Sequence, residues 1–417
     1  MIKKLICTAI TLSLIATAFI GCAEATPAAP ETLPAPSPQE APEVPGEAES
    51  ANEANGISPL TDAERIVAII GDRVIPPLSE ASQGRVVHYG FYNCDHMTAA
   101  PTGYDSGLFE ALGLNVSITG HGRVPESMAA AQMDMGLVDY RVTLAGRRAG
   151  SPLFVAAENH TGGSVFLVVS HDIREPQDLI GSRFALGNDP LNNLTWVEWA
   201  GILGIPADPS YYENFIMSDA DEYFTFVLGE LDAFIACDPW ASMAIYEGTG
   251  WIMKSIDTDR SDIGLGHGTC CKVVMHQDFA AQYPDLAERM LLAHSMSIQF
   301  MYLFPNRSAE IFADTFNVPH EVGLMTLWKK LNYEGRTIRW DLNIDYFQNE
   351  INAMRYFGVR DDINDAYVRD YIDLTFFNNS GADDFETFIR EQVDPVFPLG
   401  MTFEEWRERA LEVDRIN

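Results

Sequence analysis

Ser164-Val165-Phe166-Leu167-Val168-Val169-Ser170 is the clearest strand of the chain, an apolar core with a serine at either end. Toward the N-terminus, Arg85–Tyr92, Asn115–Ile118 and Met133–Val138 also read as strands, with helix-like Gly107–Leu112 and Pro125–Ala131 between them. Toward the C-terminus, Arg183–Leu186 precedes a helix through Trp196, Trp199 and Leu203. Ser218 with Asp221 starts a further helix in the manner of a capping box, and Leu231–Ala236 and Lys272–Met275 return to strand. This alternation predicts an α/β fold with mostly parallel sheets.

Beyond Met275 the pattern is helical. Pro284 sits in a first turn, and Leu286, Met290, Leu291, Ala293, Ile298 and Met301 form one apolar face. Ser308–Phe316, Glu321–Leu331, Ile344–Phe357 and Ala382–Asn417 continue the helices, the last with Thr402 and Glu405 as a capping box. No internal repeat is present. The N-terminus is different. Lys3 and Lys4 precede the apolar run Leu5–Ile20, and Phe19-Ile20-Gly21-Cys22 resembles a bacterial lipobox with Phe in the usual Leu position. Residues 1–21 are therefore expected to be a lipoprotein signal peptide and Cys22 the lipidated first residue, the plainer alternative being an ordinary cleaved signal. Residues 22–56 are rich in Ala, Pro, Glu and Ser and lack Lys and Arg, as a disordered tether does. Residues 57–84 lead into the folded part. The net charge of −33 disfavours nucleic acid as a partner, and no later apolar run is long enough to span a bilayer. The residues after the tether suffice for two lobes of ordinary size.

Several motifs occur in a telling order. Gly107-Leu108-Phe109-Glu110-Ala111-Leu112-Gly113-Leu114-Asn115-Val116 is followed by Ala129-Ala130-Ala131-Gln132-Met133-Asp134-Met135-Gly136 and Pro176-Gln177-Asp178-Leu179-Ile180-Gly181. Gly229-Glu230-Leu231-Asp232-Ala233-Phe234 with Asp238-Pro239-Trp240, and Tyr283-Pro284-Asp285-Leu286 with Ala293-His294, complete the series. Together they resemble the nitrate/sulfonate/taurine type of ABC-importer substrate-binding proteins, a broad group that includes binders of thiamine-pyrimidine precursors. The resemblance implies a type II-like periplasmic-binding-protein fold: two lobes, each with a mostly parallel sheet flanked by helices, joined by two crossover strands and closing on a ligand. Lobe one is expected at 85–170 and 270–374, lobe two at 171–269, and an acidic helical tail at 375–417. It further implies a monomer without cofactor or catalysis, while the lipobox at Cys22 leads to the expectation of a lipid anchor at the outer face of a bacterial cytoplasmic membrane. Its partners would be a small-molecule ligand and the permease and ATPase subunits. A thiamine-pyrimidine-synthase-like enzyme and a ligand sensor are the alternatives on the same fold.

In such sheets ligands lie beyond the carboxyl ends of the strands. That rule selects loops containing Cys94, His96, His121, Arg123, Asp139, His160, Asn188, Asn192, Cys237, Asp238, Trp240, His267, Cys270 and Cys271 as ligand-binding candidates. Cys94, Cys237, Cys270 and Cys271 are the cysteines that remain after Cys7 and Cys22. Three readings stand for them: small buried side chains or a disulfide, contacts to an organic ligand, or a thiolate–imidazole metal site. Arg123 and Arg141 suit an anionic head group or a carboxylate of the chain itself. Trp240 suits a flat wall or simple packing, Asp139 a cationic group or a ligand hydroxyl. Asn188, Asn192 and Asn193 suit helix caps, and Gly162-Gly163 a close backbone approach to the ligand.

Overall fold

A computed structural model of the protein describes residues 59–92, 94–162, 165–255, 259–359 and 370–414. The expected signal peptide, Cys22, the tether and Gly163 lie outside the described residues.

Two five-stranded sheets organise the chain. The first holds β1 (Val86–Phe91), β2 (Asn115–Gly120), β3 (Met135–Asp139), β4 (Leu153–Glu158) and β12 (Cys271–His276), in the order β2-β1-β3-β12-β4. The second holds β5 (Phe166–Ser170), β6 (Arg183–Ala185), β7 (Glu213–Phe215), β8 (Ala233–Ala236) and β9 (Gly250–Ser255), in the order β7-β6-β8-β5-β9. A short ribbon of β10 (Asp259–Arg260) and β11 (Gly266–His267) lies on the return path. Both sheets are mixed. β12 runs against β3 and β4, and β5 runs against β8 and β9, while the other described pairings are parallel. The reversed strand is in each case the strand entered on crossing from the other sheet. It therefore starts where its neighbours end, and this brings Cys270 and Cys271 to the carboxyl ends of β1, β3 and β4.

Side chains alternate along the strands as a pleat requires. Leu167 and Val169 of β5 enter one core with Trp196, Trp199 and Tyr212, whereas Phe166 and Val168 enter another with Tyr223, Phe226 and Phe234. In the first sheet Val87, Tyr89 and Phe91 face the Pro284–Leu303 helix, and Val138 and Val274 face the opposite layer of Val124, Tyr140 and Phe347. Gly90 and Gly136 are register partners in β1 and β3, and a Cβ at either would meet Val124 Cγ1 at 2.7 Å. Two bare positions thus let the Val124–Ala129 helix settle on the sheet. The strand β4 was not legible in the pattern. Its sequence Leu-Phe-Val-Ala-Ala-Glu is buried throughout, so it lacks a polar alternation.

The segment after residue 374 is packed rather than free. Phe385, Phe388, Val393, Phe397 and Trp406 join Met301, Tyr302, Leu327 and Trp340 in one buried cluster. The Thr402–Glu405 capping box begins its last helix, Phe403–Val413. At the other end, a second capping box at Thr61 starts the Asp62–Ile70 helix, and Leu60 N–H donates to Asp414 O at 2.8 Å. Because Trp406 is about 1% exposed, Trp406→Ala should cost about 3–5 kcal/mol in chemical denaturation. A cost below ~1 kcal/mol would show that the segment adds little to the core.

Candidate functional site

The chain crosses from the first sheet to the second between Glu158 and Phe166 and returns between Ser255 and Cys271. The two crossing segments bind each other: Cys270 N–H donates to His160 O at 3.2 Å, and His160 N–H donates to Cys271 O at 3.0 Å. The loop after β1 adds Cys94, Asp95 and His96, with His96 held by Asn159 Nδ2 donating to its carbonyl at 2.7 Å. From the second sheet, the loop after β8 supplies Cys237 and Asp238, and Asp95 N–H donates to Asp238 O at 3.2 Å.

Seven candidates meet here: Cys94, His96, His160, Cys237, Asp238, Cys270 and Cys271. His96 Nδ1 lies 3.4 Å from Cys271 Sγ and 3.5 Å from Cys270 Sγ, and the two sulfurs are 3.5 Å apart. The His96 and His160 rings lie 4.7 Å apart, and His160 interacts with Cys270. Cys94 and Cys237 interact with each other, and Cys237 with His96. All four cysteines are free thiols. The Cys270 thiol is held well below its usual range by the hydrogen bond from Cys271, with His96 and His160 acting in the same direction. Burial pulls His96 down, but Cys237, Asp95 and Cys270 more than offset it and hold the imidazole well above the ordinary histidine value. Burial, with His96 and Lys330 acting in the same direction, pushes His160 down to about 3, so its ring is neutral at physiological pH. The cluster is thus a pair of imidazoles of opposite charge preference beside an activated thiol.

Two cations that the sequence reading missed hold the arrangement. Lys330 pairs with Asp95 at 3.0 Å, and Lys329 pairs with Asp238 at 3.0 Å while donating to Ser242 Oγ at 2.7 Å. Both lie in a π-helical turn, Lys329–Tyr333, a distortion found mainly at functional positions. Lysines in an amphipathic helix ordinarily read as a solvated face, and nothing in the local pattern marks these two as buried. On the return path Arg260 is shared between Glu198 at 2.8 Å and Glu350 at 2.9 Å. Gly268 runs beside it, where a Cβ would fall 1.9 Å from Glu350 Oε2.

Asp139 borders the cluster, with a carboxylate oxygen within 4.8 Å of the sulfurs of Cys270 and Cys271, and the other candidates sit farther off. Asp139 caps the Tyr140–Arg148 helix and is gripped by Arg141 Nη2 at 2.5 Å and Nε at 3.0 Å, so that guanidinium is engaged within the chain. Asp139 and Asn192 line an open groove of about 490 Å³ together with Arg141, Asn193 and Met354. Asn193 caps the Leu194–Leu203 helix; Asn192 donates to Asp189, and Asn188 is exposed. Trp240 packs on Tyr223 and Phe224, at 5.6 and 6.1 Å between ring centroids. Arg123 is exposed beside His121, whose Nδ1 accepts its backbone N–H, and His267 lies against Tyr346.

This arrangement of two sheets meeting at their strand ends has known counterparts. The family profile described as NMT1/THI5 like matches residues 96–308, just over half of the chain. The chain belongs to that family. No curated protein sequence matches it. Among solved structures it is similar to the ligand-binding component of an ABC-type import system from Staphylococcus aureus with zinc bound, at 13% identity and TM-score 0.57, over 72% of this chain and 100% of that one. It is likewise similar to the nitrate-binding protein NrtA of Synechocystis PCC 6803, at 13% identity and TM-score 0.55, over 79% and 98%. The periplasmic aliphatic sulphonate-binding protein SsuA of Escherichia coli aligns at 15% identity and TM-score 0.53, over 69% and 91%. These similar structures establish the periplasmic-binding-protein fold, as the sequence motifs implied.

Two predictions follow from the buried charges of this NMT1/THI5-like chain. Lys330→Met strands Asp95 and Glu334, the latter its partner at 2.9 Å, and should cost about 3–5 kcal/mol, whereas adding Asp95→Leu and Glu334→Gln should recover most of it; denaturant titration of both variants checks this. Glu222 is buried with Oε2 unpartnered among the described residues, and burial, then Asp219, raises it from 4.5 to about 9. A carboxyl raised on folding lends its full stability below the unfolded value of 4.5 and loses it as the pH climbs toward 9. Glu222→Gln should therefore gain about 2–3 kcal/mol over the parent between pH 4 and pH 7, read from melting curves. A constant difference across that range would refute the buried, neutral carboxyl.

Proposed function

We propose that the protein is a membrane-anchored, extracytoplasmic solute-binding protein of an ABC importer. It captures a small molecule between two hinged lobes and delivers it to the permease. Lobe one comprises 85–170 and 270–374, lobe two 171–269, and 375–417 is the acidic helical tail on lobe one. Cys22 carries the lipid, and residues 22–56 link it to the folded body. The observation that carries the reading is the meeting of cleft-facing loops from both sheets, sealed by Asp95 N–H to Asp238 O and by Lys329 to Asp238. A ligand touching both sides is bound more tightly by the closed form than by the open one and so shifts the population toward closure. Capture and release make and break no covalent bond. Family membership and the importer components among similar structures support this reading.

Native mass spectrometry and small-angle scattering on the purified chain test it. A non-covalent mass excess is expected, together with a radius of gyration that grows when the ligand is stripped and shrinks when it is restored. A chain whose radius is the same with and without every anion, sulfonate, heterocycle and metal ion tried would overturn the proposal.

A further inference from the structure

Four of the soft donors, His96, His160, Cys270 and Cys271, have the spacing of a metal site. Tetrahedral bonds of about 2.3 Å to sulfur and about 2.0 Å to nitrogen place neighbouring donors roughly 3.3–3.8 Å apart. The observed separations are 3.4, 3.5 and 3.5 Å among His96 Nδ1, Cys270 Sγ and Cys271 Sγ. A donor atom of His160 falls within 4.8 Å of those of His96 and Cys270. The other nitrogen of His96 faces a carboxylate: Nε2 lies 3.3 Å from Asp95 Oδ1, and Lys330 fixes that carboxylate from behind at 3.0 Å. A carboxylate on the far side of an imidazole orients and strengthens it as a ligand.

We propose that the cargo of the cleft is a soft, d10 metal ion bound by thiolate and imidazole, with Cys270, Cys271, His96 and His160 as first donors. The inference rests on the solute-receptor reading above and names its substrate class. Oxygen-seeking cations are poorly served, because the nearby carboxylates are already engaged: Asp139 by Arg141, Asp95 by Lys330 and Asp238 by Lys329. Coordination by a thiol, or by His96 when it carries an imidazolium proton, releases that proton to solvent. The site also belongs to the closed form. Cys237 reaches His96 and Cys94 from the second sheet, so opening withdraws it from the His96 donor and loosens the ion. That dependence suits an ion carried and released rather than one held permanently.

The test uses the full chain, reduced and free of oxygen, titrated separately with Zn²⁺, Cd²⁺ and Cu⁺. One ion per chain is expected, with a thiolate-to-metal charge-transfer band for Cd²⁺, protection of thiols from alkylation and a fall in radius of gyration. Cys270→Ser with Cys271→Ser should weaken binding at least ~100-fold, and Asp95→Asn by ~10–100-fold. His121→Ala should leave it unchanged, and circular dichroism confirms that each variant is folded. The alkylation arm needs no variant: thiols of the parent chain that react at the same rate with and without all three ions overturn the proposal. So does a chain whose thiols are paired as disulfides resistant to mild reduction. Closure on an organic solute or anion without any metal overturns the metal cargo and leaves the receptor reading standing, whereas a chain that closes on nothing ends both.

Discussion

Two consecutive lysines and two Cys-Asp dipeptides hold the site together. Cys94-Asp95 follows β1 of the first sheet, Cys237-Asp238 follows β8 of the second, and Lys330 and Lys329 neutralise the two aspartates in turn. Each carboxylate is fully buried, so removing either lysine leaves an uncompensated charge at a cost of about 3–5 kcal/mol. Burial pushes Asp238 up, but Lys329 and Lys330 outweigh it and keep the group below the ordinary aspartate value. At Asp95 burial wins over Lys330 and His96 and the value rises. The two aspartates are therefore alike in sequence and unlike in charge preference. What aligns the thiols is the ion pairs beside them, not the sulfurs themselves.

Direction of entry explains why chemistry collects at this one place. Strands β1, β3, β4 and β8 end at the site, while β12 and β5 begin there because each is entered on crossing between the sheets. One geometric rule thus recruits residues from both ends of strands. His160 and Cys270 come from the two crossings themselves and are locked by their reciprocal backbone bonds. A site built on crossings changes shape whenever the sheets move relative to each other.

Much of the fold was readable from pattern, because Val165–Val169 and the apolar faces after Pro284 follow simple periods. β4 and β9 were not, since a fully buried run and a run of intermediate burial, Gly-Trp-Ile-Met-Lys-Ser, carry no alternation. The site was half legible. The strand-end rule named the loops whose Cys94, His96, His160, Cys237, Asp238, Cys270 and Cys271 the structure brings together. It could not say which way a side chain leaves its loop, and His121, Arg123, Asn188, Trp240 and His267 lie away from the cluster. Lys329 and Lys330 escaped because their partners are far away in sequence, and a lone sequence gives no sign of such pairs.

The two ends of the described chain come together. Leu60 bonds to Asp414, Arg65 pairs with Asp414 at 2.9 Å, and Arg307 pairs with Asp62 at 3.0 Å while its N–H donates to Asp414 at 2.9 Å. A pull applied at the N-terminal end would therefore pass into the Pro305–Phe316 and Phe403–Val413 helices before it reached any strand. The helical end acts as a strain relief. Force arriving at that end is taken up in those helices, apart from the crossings that bear the site.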